Sequence, residues 1–211
     1  MLAQATDGVL FKKWRSMRPA ESVLAALVQY GLLLKQDKAV PSVVGLLTGE
    51  SLRTSWWSHP KAHLIFAVLS ELAEHPDVLV TKLLYRKDTL VHRSLWPALL
   101  AVAEAREPWQ LRGLSGPARS LLQLVQRGDG PVRATGAPVK ALEARLLARA
   151  HQVHTEAGHH EMALESWQAW AGRAGCAALQ SIPQAREVLE HAAATLGAPL
   201  EALPWRASSA A

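Results

Sequence analysis

The stretch HQVHTEAGHHE, from His151 to Glu161, gathers more imidazoles and carboxylates than any other part of the chain. Neutral imidazole and carboxylate are ligands for divalent metals, and a glutamate beside such a metal orients water for hydrolysis. A hairpin over 153–161 would set His154 and His159 opposite one another. The spacing fits neither HExxH nor a zinc-finger pattern, and no third firm ligand follows. A polar turn with a histidine near a helix end uses the same residues without chemistry. No metal, no cofactor and no catalytic residue is therefore assigned, and enzyme activity stays undecided.

Other reactive residues are sparser. Cys176 is the single cysteine, so neither an intramolecular disulfide nor a cysteine-rich zinc site can form. It is nucleophilic only where its surroundings lower its pKa, and an incidental, partly buried thiol is the plainer expectation. Gly128-Asp129-Gly130-Pro131 precedes no Lys-Ser/Thr pair and reads as a turn rather than a phosphate loop. Asp7, Asp37, Asp77 and Glu50 show no spacing that marks an acid–base couple.

A stronger pattern lies in VTKLLYRKDTLVHRSLWPALLAVA. Two short β-prone runs, about Val78–Leu84 and Thr89–His92, flank Tyr85-Arg86-Lys87-Asp88, and Ser94 caps an apolar helix containing Pro97. Lys82, Arg86, Lys87, His92 and Arg93 give this ribbon a basic character, while Val80, Leu83 and Leu90 are expected to pack inward. A helix precedes it, with Ser58 as cap, Pro60 in the first turn and Leu64, Ile65, Val68, Leu69 and Leu72 at helical spacing. Lys61 and His63 fall near its start, off that stripe. Glu71 and Glu74 sit at its far end, where phosphate would be repelled, so only the first turn could approach a nucleic acid. Trp56 and Trp57 are adjacent and cannot share one face. One can be buried and the other exposed to stack on a base, although core or interdomain packing is the plainer expectation for either.

Helix, ribbon, helix over residues 60–104 resembles winged-helix modules, including tandem forms found in some DNA-repair enzymes. The resemblance implies a mostly α fold with small β-hairpins (α+β), arranged as tandem winged-helix-like modules, and a double-stranded DNA partner in a regulatory or repair setting. The nucleic-acid-binding set it implies is Trp57, Lys61, His63, Lys82, Arg86, Lys87, His92 and Arg93. The competing expectation treats Lys82, Arg86 and Lys87 as ordinary solvated hairpin residues. A protein-interaction or scaffold role then follows, with an apolar patch around Trp56, Trp57 or Trp109.

Composition agrees with either outcome. The 211 residues are 49% hydrophobic and include eight tryptophans, and Leu and Ala favour helices. A formal charge of +5 and a pI near 9.7 suit phosphate contact and solubility alike. Apolar runs fall short of the roughly 20 residues of a membrane span, and no secretory pattern opens the sequence. No membrane partner and a cytoplasmic location are expected; the oligomeric state is left open.

Composition shifts divide the chain into 1–106, a linker at 107–116, and 117–211. Earlier, AESVLAALVQYGLLL (20–34) reads as a helix with Gly31 near its end, and Pro41 opens a short helix over Ser42–Leu47 stopped by Gly49. Helices are also expected at Ala118–Gln126, Val139–Ala150 and Gln184–Leu196. The second half echoes the first, ESWQAW standing where RSLWPALL stood, with shorter strands. Arg119, Arg127, Arg133, Lys140, Arg145 and Arg149 are scattered over its elements. Phe11 and Trp14 are candidate anchors for the amino-terminal segment.

Overall fold

A computed structural model describes residues 18–128, 130–154 and 160–207; Phe11, Trp14 and most of the His154–His159 turn lie outside them. Helix α1 (Pro19–Tyr30) ends at Gly31, whose φ of 74° lets its N–H reach Leu27 O at 2.7 Å. That residue has a second constraint: a β-carbon there would lie 2.9 Å from Leu95 Cδ1. The expected helix to Leu34 is cut short, and Leu32–Leu34 form strand β1, fully buried. Helix α2 (Val43–Thr48) is capped by Ser42, whose Oγ accepts from Gly45 N at 3.1 Å, so Pro41 precedes the cap rather than sitting inside the helix.

Trp56–Ser58 form a tight 3₁₀ turn ahead of helix α3 (Ala62–Ala73). The helix therefore starts later than the Ser58–Pro60 pattern suggests. His59 holds the junction, its Nδ1 accepting from Lys61 N at 3.1 Å. Ile65, Val68 and Leu72 are the buried side of α3, each contributing roughly 1.5–3 kcal/mol relative to exposure. Strands β2 (Val78–Lys82) and β3 (Asp88–His92) follow, then helix α4 (Trp96–Glu104). The first sheet has order β1-β3-β2, all antiparallel, with Leu32 opposite Val91 and Lys82 opposite Asp88.

The segment read as a linker carries a helical turn, α5 (Pro108–Leu111), and a fully buried Gln110. The Gln110 amide donates to Ala103 O at 3.0 Å and Arg145 O at 3.2 Å, tying the segment to both halves. Then come α6 (Gly116–Gln126), β4 (Val132–Arg133), α7 (Ala137–Glu143), β5 (Arg149–His154), β6 (His160–Glu165) and α8 (Trp167–Ala174). Helix α7 stops short of the expected Ala150 because Leu146 takes a left-handed φ of 53°, turning the chain into β5. The second sheet has order β4-β6-β5, again antiparallel. Its element order repeats that of the first, without a counterpart to α3. The protein is mostly helical with two small antiparallel sheets.

Helix α9 (Ile182–Thr195) packs on α4, and helix α10 (Pro204–Ala207) closes the described chain. The larger core joins Leu27, Leu33, Val91 and Leu99 to Leu189, Leu203 and Trp205. Trp96 and Trp170 meet edge to face at 5.1 Å, and Trp167 meets Trp170 at 5.7 Å, so three indoles fasten α8 to α4. A smaller core under the second sheet contains Leu122, Val125, Leu142, Leu147 and Leu164. Among the described residues, no helix is long and apolar enough to cross a membrane.

Candidate nucleic-acid interface

The β2–β3 ribbon turns through Leu84-Tyr85-Arg86-Lys87, where Lys87 N donates to Leu84 O at 2.9 Å. Tyr85 and Arg86 both lie in the left-handed region, at φ 53° and 56°. Glycine or asparagine normally occupies such positions, and each β-carbon there costs roughly 1–2 kcal/mol. The strain is held by burial on either side. Leu83 and Leu84 are fully buried, and fully buried Thr89 accepts from Leu84 N and donates to Lys87 O, both at 3.0 Å. The turn also packs against residues 200–207, so the ribbon is anchored at its tip.

The ribbon's cations are largely matched by nearby acids. Lys82 Nζ lies 2.6 Å from Asp88, Lys87 Nζ 2.8 Å from Asp37, and Arg93 Nη1 2.9 Å from Asp77. Arg86 is exposed and pairs with no acid among the described residues. His92 is half-buried, its Nδ1 2.9 Å from Ser94 Oγ. Burial outweighs the attraction of Asp77 and holds its imidazole below the usual value of 6.5. The ribbon presents a mixed surface, with Arg86 as its unmatched charge.

Asp37, in the loop after β1, explains the Lys87 contact. Its Oδ1 accepts from Ala39 N at 2.9 Å and Val40 N at 3.4 Å, while Oδ2 accepts from Lys87. Burial raises the pKa of this carboxyl; Lys87 and the two amides outweigh that and hold it below the ordinary aspartate range.

In the 3₁₀ turn ahead of α3 the two indoles differ in burial yet stack on one another, which adjacency alone does not suggest. Trp56 is 4% exposed and Trp57 62%, with ring centroids 4.0 Å apart and planes inclined by 25°. Phe66, 55% exposed, lies 6.0 Å from Trp57. Lys61 is committed to the end of α2, its Nζ donating to Leu47 O at 2.8 Å. His63 is exposed. The structure thus brings Trp57, Lys61 and His63 to one helix start, and Lys82, Arg86, Lys87, His92 and Arg93 to one ribbon.

Phe66 and Lys35 are missed by spacing alone. Lys35 Nζ lies 5.9 Å from the Trp56 ring centroid, a contact between loop and turn that no local pattern shows. Phe66 did leave a signal: HLIFAVL is apolar beyond one stripe, so an apolar side chain had to face outward.

In the second hairpin, His154 stands opposite His160 in backbone register, one residue from the expected His159. Glu156 and His159 lie outside the described residues. Among the described residues, no group of three His, Cys, Asp or Glu is placed to hold a metal. Glu165, 2% exposed, is instead clamped by Arg149 and Arg173, with His151 Nδ1 at 3.6 Å. Burial pushes the Cys176 thiol up, away from nucleophilic character. Comparison with family models, curated proteins and solved structures finds no match to this chain.

Proposed function

We propose that this protein binds nucleic acid through a winged-helix-like module over residues 19–92, with a reduced second copy over 116–165. The observation that carries this reading is topological. Helix, strand, helix, helix, strand, strand, closed as an antiparallel sheet of order 1-3-2, is how winged-helix modules are built. Such modules set one helix towards a groove and the ribbon along the backbone. Trp57 and His63 belong to the start of that helix, and Arg86, Lys87 and Arg93 to the ribbon. Because the ribbon's paired lysines and arginine already face acids, Arg86 supplies the main unmatched charge. Few phosphates are neutralised, and two or three contacts would give a log–log salt slope of roughly −2 to −3 on duplex DNA.

Fluorescence anisotropy with a labelled random duplex at two salt concentrations tests the proposal. Binding at low salt that weakens in R86A, and further in R86A/K87A, supports it. No binding of duplex or single-stranded DNA at low salt, or binding unchanged in both variants, rejects it. Protein docking is the second reading, favoured by exposed apolar Trp57 in the 3₁₀ turn and Leu64 and Phe66 on α3. It predicts that W57A/F66A alters no nucleic-acid affinity.

A further inference from the structure

We infer that Trp57 and Phe66 form a stacking platform for an unpaired nucleobase, so that the preferred nucleic acid carries unpaired bases. The inference rests on the nucleic-acid reading above and narrows it. One face of the Trp57 indole is covered by Trp56 at 4.0 Å, and Trp56 is itself buried in the core. With 62% of the residue exposed, the opposite face is the one open to solvent. Phe66, also exposed, lies 6.0 Å away at an interplanar angle of 41°, a second aromatic ring next to the indole. A rigid ring with one free face and a neighbouring ring is the geometry that base stacking uses.

The outer side of α3 points the same way by what it offers. The bidentate contacts that read base edges most strongly in a groove are made by Arg, Lys, Asn or Gln side chains. The exposed positions along α3 are His63, Leu64, Phe66, Ala67, Ser70, Glu71 and Ala73, followed by Glu74. Leu64 and Phe66 read no hydrogen-bonding edge, and Glu71 and Glu74 repel phosphate from the distal half. This helix is poorly suited to lie along an intact duplex. Bases inside a duplex have both faces covered, so an unpaired base, or more weakly a duplex end, can rest on Trp57.

Charge around the platform suits the phosphates on either side of such a base. Lys35 lies beside Trp56, Lys61 opens α3, and exposed Arg53 precedes Trp56 by three residues. The nearby acid Glu50 is 3.1 Å from His59, which partly offsets it.

The test uses three labelled probes: an oligothymidylate, a blunt duplex, and the same duplex with an internal bulge of unpaired thymidines. Anisotropy gives affinity and intrinsic tryptophan emission reports stacking. The expected result is tighter binding of the oligothymidylate and the bulge than of the duplex, with quenching in the wild type that W57A lacks. W57A should weaken binding to unpaired probes roughly 5- to 150-fold while leaving the salt slope unchanged. W57F, which keeps an aromatic face, should retain much of the affinity. F66A, a second exposed site, should show a smaller loss and guards against a folding defect in W57A. Equal affinity for all probes, or W57A and F66A binding as the wild type does, overturns the stacking platform and leaves the general nucleic-acid reading standing. Absence of binding to any probe at low salt removes both.

Discussion

Replacing Asp37 by alanine removes a buried carboxylate and three hydrogen bonds, from Ala39 N, Val40 N and Lys87 Nζ. The three losses differ in kind. Lys87 keeps access to water, its side chain being 53% exposed, so its ion pair contributes about 0.5–1 kcal/mol. The Ala39 amide is partly accessible, and losing its acceptor costs about 1 kcal/mol. The Val40 amide is buried and would be left unsatisfied, at about 1–2 kcal/mol. The expected total for D37A is about 3 kcal/mol, or a Tm lower by roughly 6–12 °C for a chain of this size. D37N keeps an oxygen for the amides and loses the charge, so it should cost about 1 kcal/mol, close to K87A. Urea denaturation of D37A, D37N and K87A measures the series. Should D37N prove as damaging as D37A, the ion pair would dominate and the assignment to the two amides would be wrong. The pH dependence has a definite sign. A carboxyl held below its unfolded value stabilises the fold above that value, and the contribution is lost as pH falls through the folded pKa. The wild type should lose stability in acid that D37N never had.

R86G should raise stability by about 0.5–1 kcal/mol in thermal denaturation, because relief of a left-handed β-carbon exceeds glycine's extra unfolded entropy; it should weaken nucleic-acid binding at the same time. E143Q should stabilise at neutral pH. Burial, opposed by Lys82 and reinforced by Asp88, raises the Glu143 carboxyl, so the wild type loses stability as pH rises through the folded value and the advantage of the amide fades in acid. His92 and His151 are both held below the usual value by burial, so urea midpoints should fall as pH drops from about 7 to about 5. H92N, whose side-chain oxygen can still accept from Ser94 N, should flatten part of that fall.

Sequence alone located the ribbon and α3 because each rests on local spacing, but left open which of Trp56 and Trp57 is buried. Leu32–Leu34 escaped it, since a short, wholly apolar run continues a helical stripe as readily as it forms a buried strand. The early end of α7 escaped as well, because Leu146 adopts a left-handed conformation that a leucine does not advertise. The pairing of Lys87 with Asp37 spans 50 residues, and that of Arg93 with Asp77 spans 16. Charges read along the chain overstate the free positive surface when partners arrive through folding.

Helix α9 closing over α4 has a consequence for how the chain is made. The first sheet and its helices are complete by Glu104, yet their core takes Leu189, Leu203 and Trp205 from the far end. At synthesis rates of roughly 5–20 residues per second, the intervening hundred or so residues occupy roughly 5–20 s. Until α8 and then α9 arrive, the nascent amino-terminal half carries the apolar side of α4 uncovered, a surface for chaperones to hold. Chains released before Ile182 would keep part of it exposed, to aggregation or proteolysis, so residues 182–205 decide whether the half translated first is closed.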